Sequence, residues 1–458
     1  MDVLLLSRIQ FGLNIAFHYI YPPLSIGLSL MIVIMEGMYV KTKKASYRKM
    51  TKFWIKVFAL TFALGVATGI VQIFGFGNNW ARYSRFVGDV FGSALAAEGI
   101  FAFFLEAGFI GLMLFGWNRV GMKLHYFSTI CVALGAHFSA IWIVAANSWM
   151  QTPAGFKIEG EGAEAHAVLT NFWEMIFNPS FLDRLTHVII GAWMTGAFMV
   201  ISVCAYYFLK KKHLAFAYTS MKIALTVASI LVILQLVSAD STARGVAKHQ
   251  PEKFAAMEGL YKTEPHTAIN VAGYVDSKNQ TVHALQVPGL LSFLTYRNFE
   301  TPVRGLDQFP EEDWPPVGSV FQYYHMMIYM WGAMLLATIL GLILWKRKAF
   351  EKSKWINWYL ILSVFFPFVA NQVGWFTAEV GRQPWIVYGL LRTSQGVSKS
   401  IVAGQVIGSI TMFVCIYILL FSLFCFLLNR KVQHGPEEIE TDEEKADTVY
   451  RDPYQIKT

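Results

Sequence analysis

Charge is scarce in this chain: 15% of its 458 residues are Asp, Glu, Lys or Arg, where a soluble domain carries about 25%. With 55% hydrophobic and 16% aromatic residues, an ordinary water-soluble enzyme is excluded. Cysteine is equally thin. Cys131, Cys204, Cys415 and Cys425 all fall within apolar runs and show no Cys-x-x-Cys or paired spacing. That excludes a disulfide framework or metal knuckle and leaves them as small buried residues. No basic stripe is interleaved with aromatics, so the net charge of +8 does not point to nucleic acid. Nor is there a solenoid repeat, or the inverted pair of interrupted helices common in transporters. Asp2 and Arg8 precede a span that runs past Leu30, so no cleavable signal peptide is expected.

What the chain has is long apolar runs, at roughly 11–39, 54–78, 92–116, 125–149, 185–209, 219–239, 320–345, 356–378 and 402–428. Each can span about 30 Å of hydrocarbon. The fold class expected is all-α: a polytopic integral membrane protein of about nine transmembrane helices. Lys41, Lys43, Lys44, Arg48, Lys49 and Lys52, then Lys210 to Lys212, then Lys346, Arg347, Lys348, Lys352 and Lys354 all fall in loops of one side. Basic short loops stay in the cytoplasm, so the N-terminus is expected outside and the C-terminus inside.

Four regions follow: helices one to six over 1–239, an extracytoplasmic loop over 240–319, helices seven to nine over 320–432, and an acidic cytoplasmic tail over 433–458. A second outer segment covers about 150–184. The long loop is rich in proline and glycine, and a connection of that length is usually functional or disordered. Within it, Pro251 to Gly259 reads as one short helix, with proline at its start and glycine at its end.

Ionisable side chains stand inside or at the edges of the apolar runs: His18, Glu98, Glu106, His187 and Glu379. An uncompensated charge at mid-bilayer costs roughly 2.5–3.5 kcal/mol on insertion scales, so a metal cofactor or a proton path is implied. Asn14, His18 and Pro22 share one helix face. Pro22 and Pro23 lack N–H groups, which strips the carbonyls of His18 and Tyr19 of partners and predicts a kink beside the histidine. Glu98 and Glu106 lie about 12 Å apart along an ideal helix and suit a proton relay, which Ser139 and His137 could extend. For those two an ordinary interhelical hydrogen bond is the simpler reading. His187 and Met327 form a possible axial haem pair, with His325 a competitor on the same turn and plain core packing the alternative for Met326 and Met327. The run from Gly374 to Trp385 gathers Glu379, Arg382, Trp375 and Trp385 at one helix end. An aromatic belt with a snorkelling arginine explains the tryptophans but not the carboxylate, which Arg382 could neutralise.

These residues, with Ser7-Arg8-Ile9-Gln10-Phe11, Gly65 to Gly69, Phe76-Gly77-Asn78-Asn79-Trp80, Gly88 to Gly92, Gly116-Trp117-Asn118-Arg119 and Ala146 to Gln151, make the chain resemble subunit I of the cytochrome bd-type quinol oxidases. The resemblance covers nearly everything but the tail. It implies that His18 and Glu379 are axial ligands of two high-spin haems, with Glu98 beside them. It implies that His187 and Met327 hold a low-spin haem b, that Glu106 lies on the proton path with Ser139 near it, and that Arg382 lies near the haems. Lys253 and Glu258 match the quinol-oxidising loop, here in its short form. Gly75 stands where many members carry glutamine, and His325 where some carry arginine. The stretch Phe104 to Phe109 resembles the cyanide-insensitive branch, so the third haem could be haem d or a further b-type haem.

The implied activity is oxidation of ubiquinol or menaquinol coupled to reduction of O2 to water in a bacterial cytoplasmic membrane, with vectorial proton uptake and no pump. The implied partners are a second large membrane subunit, a small single-helix subunit and membrane lipid. Two rivals from other classes are a proton-coupled transporter and a two-haem electron-transfer anchor.

Overall fold

The computed structural model describes residues 2–437, with side chains apart from those of 73–77 and 101–103. The acidic tail from 438 onward, and the side-chain positions of Gly75, Phe76 and Gly77, lie outside the described residues. Among the described residues, nine helical segments are long and apolar enough to cross a membrane. Closed helices satisfy every main-chain group internally, which hydrocarbon demands.

The first span is two helices, α1 (Val3–His18) and α2 (Tyr21–Thr42). The chain breaks at Tyr19 and Ile20, immediately after His18 and just before the Pro22-Pro23 pair, which stands in the first turn of α2. There proline's missing N–H costs nothing. The break leaves the carbonyl of Ala16 without its usual partner, because Ile20 N–H bonds Phe17 instead; Gln372 donates to Ala16 at 2.7 Å.

Next come α3 (Ala45–Asn79), α4 (Ala81–Ala97), a π-helical turn over Glu98–Phe103, α5 (Phe104–Phe115) and α6 (Met122–Gln151). The π turn corrects the sequence expectation of one ideal helix through Glu98 and Glu106: it re-aims the two carboxylates, and such insertions gather at functional sites. A hairpin of β1 (Phe156–Glu159) and β2 (His166–Leu169) and the short α7 (Phe172–Ile176) lead to α8 (Phe181–Lys210) and α9 (Leu214–His249). Helix α9 extends to His249, so the long loop begins about ten residues later than the hydropathy suggests; polar residues there simply continue the helix beyond the apolar run.

The loop is ordered. It holds α10 (Pro251–Glu258), closed by Gly259 at φ 70°, an antiparallel hairpin of β3 (Ile269–Asp276) and β4 (Thr281–Val287), and α11 (Leu290–Tyr296). Then follow α12 (Val317–Lys346), α13 (Lys354–Leu362), α14 (Phe365–Val380), the small pair β5 (Trp385–Val387) and β6 (Leu391–Arg392), α15 (Thr393–Gly396) and α16 (Ala403–His434).

The main apolar core lies between α2, α3, α8 and α9, around Met31, Trp54, Phe198 and Leu225. A second cluster, around Trp149 and Tyr83, seats α4 against α6 and α7. A third fastens α10 to the loop and to α12 through Phe254, Met257, Leu306 and Val320. At the crossing of α2 and α8 the main chains touch: a Cβ on Gly27 would stand 2.2 Å from the Ala192 carbonyl, and one on Gly196 would stand 2.1 Å from Gly27. Small residues let membrane helices approach this closely.

Gly196→Ala should therefore force α2 and α8 apart and destabilise the fold by about 1–3 kcal/mol. A thermal melt in detergent checks it against Gly111→Ala on α5, where an added Cβ meets nothing within 4 Å and no loss of stability is expected.

Candidate functional site

A cavity of about 2180 Å³ opens between α1, α3, α4, α6, α8, α9, α12 and α14, well above the roughly 300–1,000 Å³ of an ordinary small-ligand pocket. Ten of the residues the sequence singles out reach it: His18, Glu98, Glu106, Ser139, His187, Met327 and Glu379, and with them Lys253, Glu258 and Arg382. His137 and His325 do not line it. His137 is fully engaged between the Ala133 carbonyl at 2.7 Å and the indole N–H of Trp193 at 2.8 Å. His325 is equally spent, its ring nitrogens 2.9 Å from the Phe321 carbonyl and 2.6 Å from that of Asn270.

His18 stands at the end of α1 with its orientation fixed. Thr68 donates its hydroxyl proton to the Leu64 carbonyl at 2.8 Å. It must therefore accept from Nδ1–H of His18, 2.9 Å away. Nε2 keeps its lone pair, the tautomer a metal requires. His187, one helical turn after Arg184 on α8, has Gln235 Nε2 within 3.1 Å of both ring nitrogens, while Gln235 Oε1 is buried without a partner. A half-turn of that amide would give one ring nitrogen an acceptor and free the other. Met327 is admitted by Gly374: a Cβ there would come within 2.9 Å of the Met327 sulfur.

Glu379 is the centre of a buried network. Its Oε2 accepts from Arg382 Nη2, and its Oε1 accepts from Asn147 at 3.0 Å and Gln151 at 3.4 Å. A carboxylate has about four acceptor sites, so one remains. Asn147 Oδ1 accepts from Arg184 Nη2, and Gln151 Oε1 accepts from Lys253 Nζ. Two guanidinium groups and one amine thus gather about one carboxylate. Burial, and then Arg184 and Arg382, hold the Lys253 amine well below its usual range.

This geometry tests whether the site fits a haem. Arg184 Nε and Arg382 Nη1 are buried and make no hydrogen bond, and leaving such donors unpaired costs more than an ordinary lost bond. Surplus positive charge with unused donors, on the wall of a largely apolar cavity, suits the carboxylate arms of a porphyrin. The donor set of imidazole, thioether and carboxylate suits its iron. The residues present fit the group.

On the far wall, Ser139 donates to Glu98 Oε1 at 2.6 Å, and Glu106 is buried. Toward the loop, Glu258 is 1% exposed. Burial pushes its carboxyl up to about 7 against the opposing hydrogen bond of Tyr324. The Glu258 carbonyl accepts from Asn270 Nδ2 at 2.6 Å, so β3 braces α10 from behind. Sequence reasoning missed Arg184, Gln235 and Thr68. Arg184, a cation in the first turn of an apolar helix just before His187, was visible in principle; the other two look like any polar residue between helices.

Comparison with known proteins agrees with this site. The family model of cytochrome bd terminal oxidase subunit I matches residues 6–436. The chain is 41% identical over 448 residues to cytochrome bd ubiquinol oxidase subunit 1 of Bacillus subtilis, covering 95% of each. It is 32% identical to cytochrome bd-II ubiquinol oxidase subunit 1 of Escherichia coli, over 96% of this chain and 98% of that one. A putative cytochrome bd menaquinol oxidase subunit I of Bacillus subtilis is 34% identical, over 87% of this chain and 90% of that one. Among solved structures, the bd oxidase from Geobacillus thermodenitrificans superposes with a TM-score of 0.87 at 28% identity, covering 95% of this chain and 99% of that one. With its nine apolar helices and a family match from end to end of the described fold, the chain belongs to the cytochrome bd terminal oxidase subunit I family, membrane-bound oxidoreductases of bacterial respiration.

Proposed function

We propose that this chain is the haem-bearing subunit of an electrogenic quinol oxidase that reduces O2 to water without pumping protons. The reading rests on one observation above all: imidazole, thioether and carboxylate donors from four separate helices share a single cavity with two guanidinium groups, each of which keeps a buried, unpaired nitrogen. A proton-coupled transporter has no need of that donor set, and a two-haem anchor would want a second histidine pair.

In this reading His187 and Met327 hold a low-spin haem b. His18 and Glu379 hold two high-spin haems, of b type or, for one of them, d type. When bound, these groups supply the irons that take electrons from quinol and deliver them to oxygen. The chain's own residues do the rest. Arg184 and Arg382 neutralise propionate carboxylates. Quinol, as ubiquinol or menaquinol, the two substrates in the relatives' names, is oxidised beside α10, where Glu258 takes a proton from its hydroxyl. Lys253, its amine lowered by burial, can accept as well as donate a hydrogen bond there.

The protons consumed at oxygen climb from the basic-loop, cytoplasmic side past Glu106 toward Glu98 and Ser139. Each unit charge moved through the field stores about 2.3 kcal/mol per 100 mV. The exposed apolar faces of α4 and α16, including Leu95, Ile418, Leu419 and Phe426, are where lipid, a second large subunit and a small single-helix subunit would pack.

A reduced-minus-oxidised spectrum with pyridine haemochrome analysis of the purified complex tests the whole reading: a colourless protein ends it, and a chlorin band in the red assigns haem d over a third b-type haem. Glu379→Ala should erase a high-spin signal and spare the low-spin one, whereas His187→Ala should do the reverse. Equal loss of both signals in each variant would reject the ligand assignment.

Glu258 can accept a proton only when ionised. With its carboxyl at about 7, quinol oxidation should rise with pH through that value and level off above it. Glu258→Gln should abolish that limb and slow turnover by roughly 10²–10⁴-fold, the usual worth of a general base. Arg184→Gln removes a cation that favours the reduced haem, so redox titration should show a more negative midpoint potential.

A further inference from the structure

Two deeply buried ionisable partners in the transmembrane region have no part in the mechanism above. Glu36 on α2 is 1% exposed and His125 on α6 is 2% exposed. His125 Nδ1 lies 2.6 Å from Glu36 Oε1, and Thr129 donates to Glu36 Oε2 at 2.7 Å. The other ring nitrogen of His125 faces the Met113 carbonyl at 3.1 Å, on the same helix that carries Glu106.

We propose that Glu36 and His125 form a proton-loading dyad that supplies Glu106 from the basic-loop side of the membrane. The proposal rests on the reading that oxygen chemistry draws its protons from that side.

Position argues for it. Helices α5 and α6 are antiparallel, pinned near one end where Ser139 meets Glu98 and near the other where His125 meets Met113. Along α6 these levels are about 21 Å apart. Glu106 falls between them, about 10 Å above Met113 along α5, with Glu98 beyond it across the π turn. The three acidic stations thus follow one another in order from the basic-loop end of α6 to the level of Ser139. The dyad sits next to the basic loop, where Lys43 Nζ reaches Met122 at the start of α6.

Chemistry argues for it too. A carboxyl and an imidazole in hydrogen-bond contact hold one shared proton in either of two arrangements, Glu–H with neutral His or carboxylate with imidazolium. The dyad can pass that proton inward and recover another from the loop. Stability alone does not account for the pair, because a buried ion pair is rarely worth more than the apolar residues that could replace it, and α2 already packs through the main core.

The groups facing the dyad are few. From α6 come Thr129 and Tyr126, whose hydroxyl approaches Gly37. From α3 come Arg48 and Lys52, which lie 5.7 and 5.6 Å over the Trp117 ring, itself 4.0 Å from the His125 ring. From α5 comes only the Met113 carbonyl, and α8 on the other side of α2 brings apolar side chains and the buried Cys204.

The test uses the intact oxidase complex in proteoliposomes. Wild type must first show quinol-driven oxygen uptake with proton consumption from the basic-loop side; if it does not, the functional reading fails, whatever the dyad does. Given that, Glu36→Gln and His125→Gln should keep the haem spectrum and the quinol KM while lowering kcat at least tenfold. Proton uptake should slow in step, the loss should deepen as pH rises, and Glu36→Asp should recover much of the rate. Thr129→Val leaves the acid–base pair in place and should shift the pH profile with the spectrum intact. If Glu36→Gln does not assemble, His125→Gln and Thr129→Val decide. Wild-type kcat and pH profile in these variants would overturn the proposal, as would losses of rate that only track losses of haem or of melting temperature.

Discussion

The structure is organised around one difficulty, the presence of charge in a medium that repels it. Around Glu379 the solution is a network in which every charge has a partner through at most one amide: Glu379 to Arg382 directly, to Arg184 through Asn147, and to Lys253 through Gln151. Removing one partner from such a buried set usually costs more than the pair was worth, because it strands the other. The network fastens α6, α8, α10 and α14 to one another. It also fails to balance, since two guanidinium groups and an amine meet one carboxylate. That surplus makes the site receptive to carboxylates brought by a cofactor.

The imbalance sets a geometric order. The positive cluster lies where α10 and the loop meet the membrane helices, so Lys253 belongs at once to the proposed haem end and to the proposed quinol end. Glu258, at the close of the same short helix, is held by Asn270 from β3, and β3 is in turn held by His325 of α12, two residues before Met327. A single brace therefore spans the proposed proton acceptor, the loop hairpin and the helix of a proposed haem ligand. The stretch between α9 and α12, residues 250–316, is thus built as an ordered cap.

Much of this was legible beforehand, for identifiable reasons. Hydropathy reveals the spans because hydrocarbon tolerates only closed helices, and Pro22-Pro23 announces the break beside His18 because a missing N–H has an unambiguous consequence. Pro251 and Gly259 bound α10 as expected. Other features leave no such trace. The π turn after Glu98 inserts no special residue, so the spacing of Glu98 and Glu106 invites an ideal-helix estimate that the backbone does not follow. The β3–β4 hairpin lacks a strong turn dipeptide. The end of α9 is invisible to hydropathy because helix continuation needs no apolar residues. Hardest of all is convergence: nothing in the spacing of His18, His187, Met327 and Glu379 fixes a common cavity, which is a property of how α1, α8, α12 and α14 pack.

Interruptions in the helices are what make that convergence possible. An unbroken helix carries its side chains past a buried point at a fixed pitch and offers one or two of them to it. Here α1 stops at His18, α4 gives way to a π turn at Glu98, and α13 yields to α14 at Ser363 and Val364 before the chain reaches Glu379. Each break frees main-chain carbonyls that lipid could not satisfy, so each must lie where another helix can answer it. At the first break the answer is Gln372 of α14 on the Ala16 carbonyl, which ties the helix of His18 to the helix of Glu379. The hydrogen bond that heals the backbone is thus also the one that sets the two proposed iron ligands relative to each other, so repair of a broken helix and assembly of the site are the same act of packing.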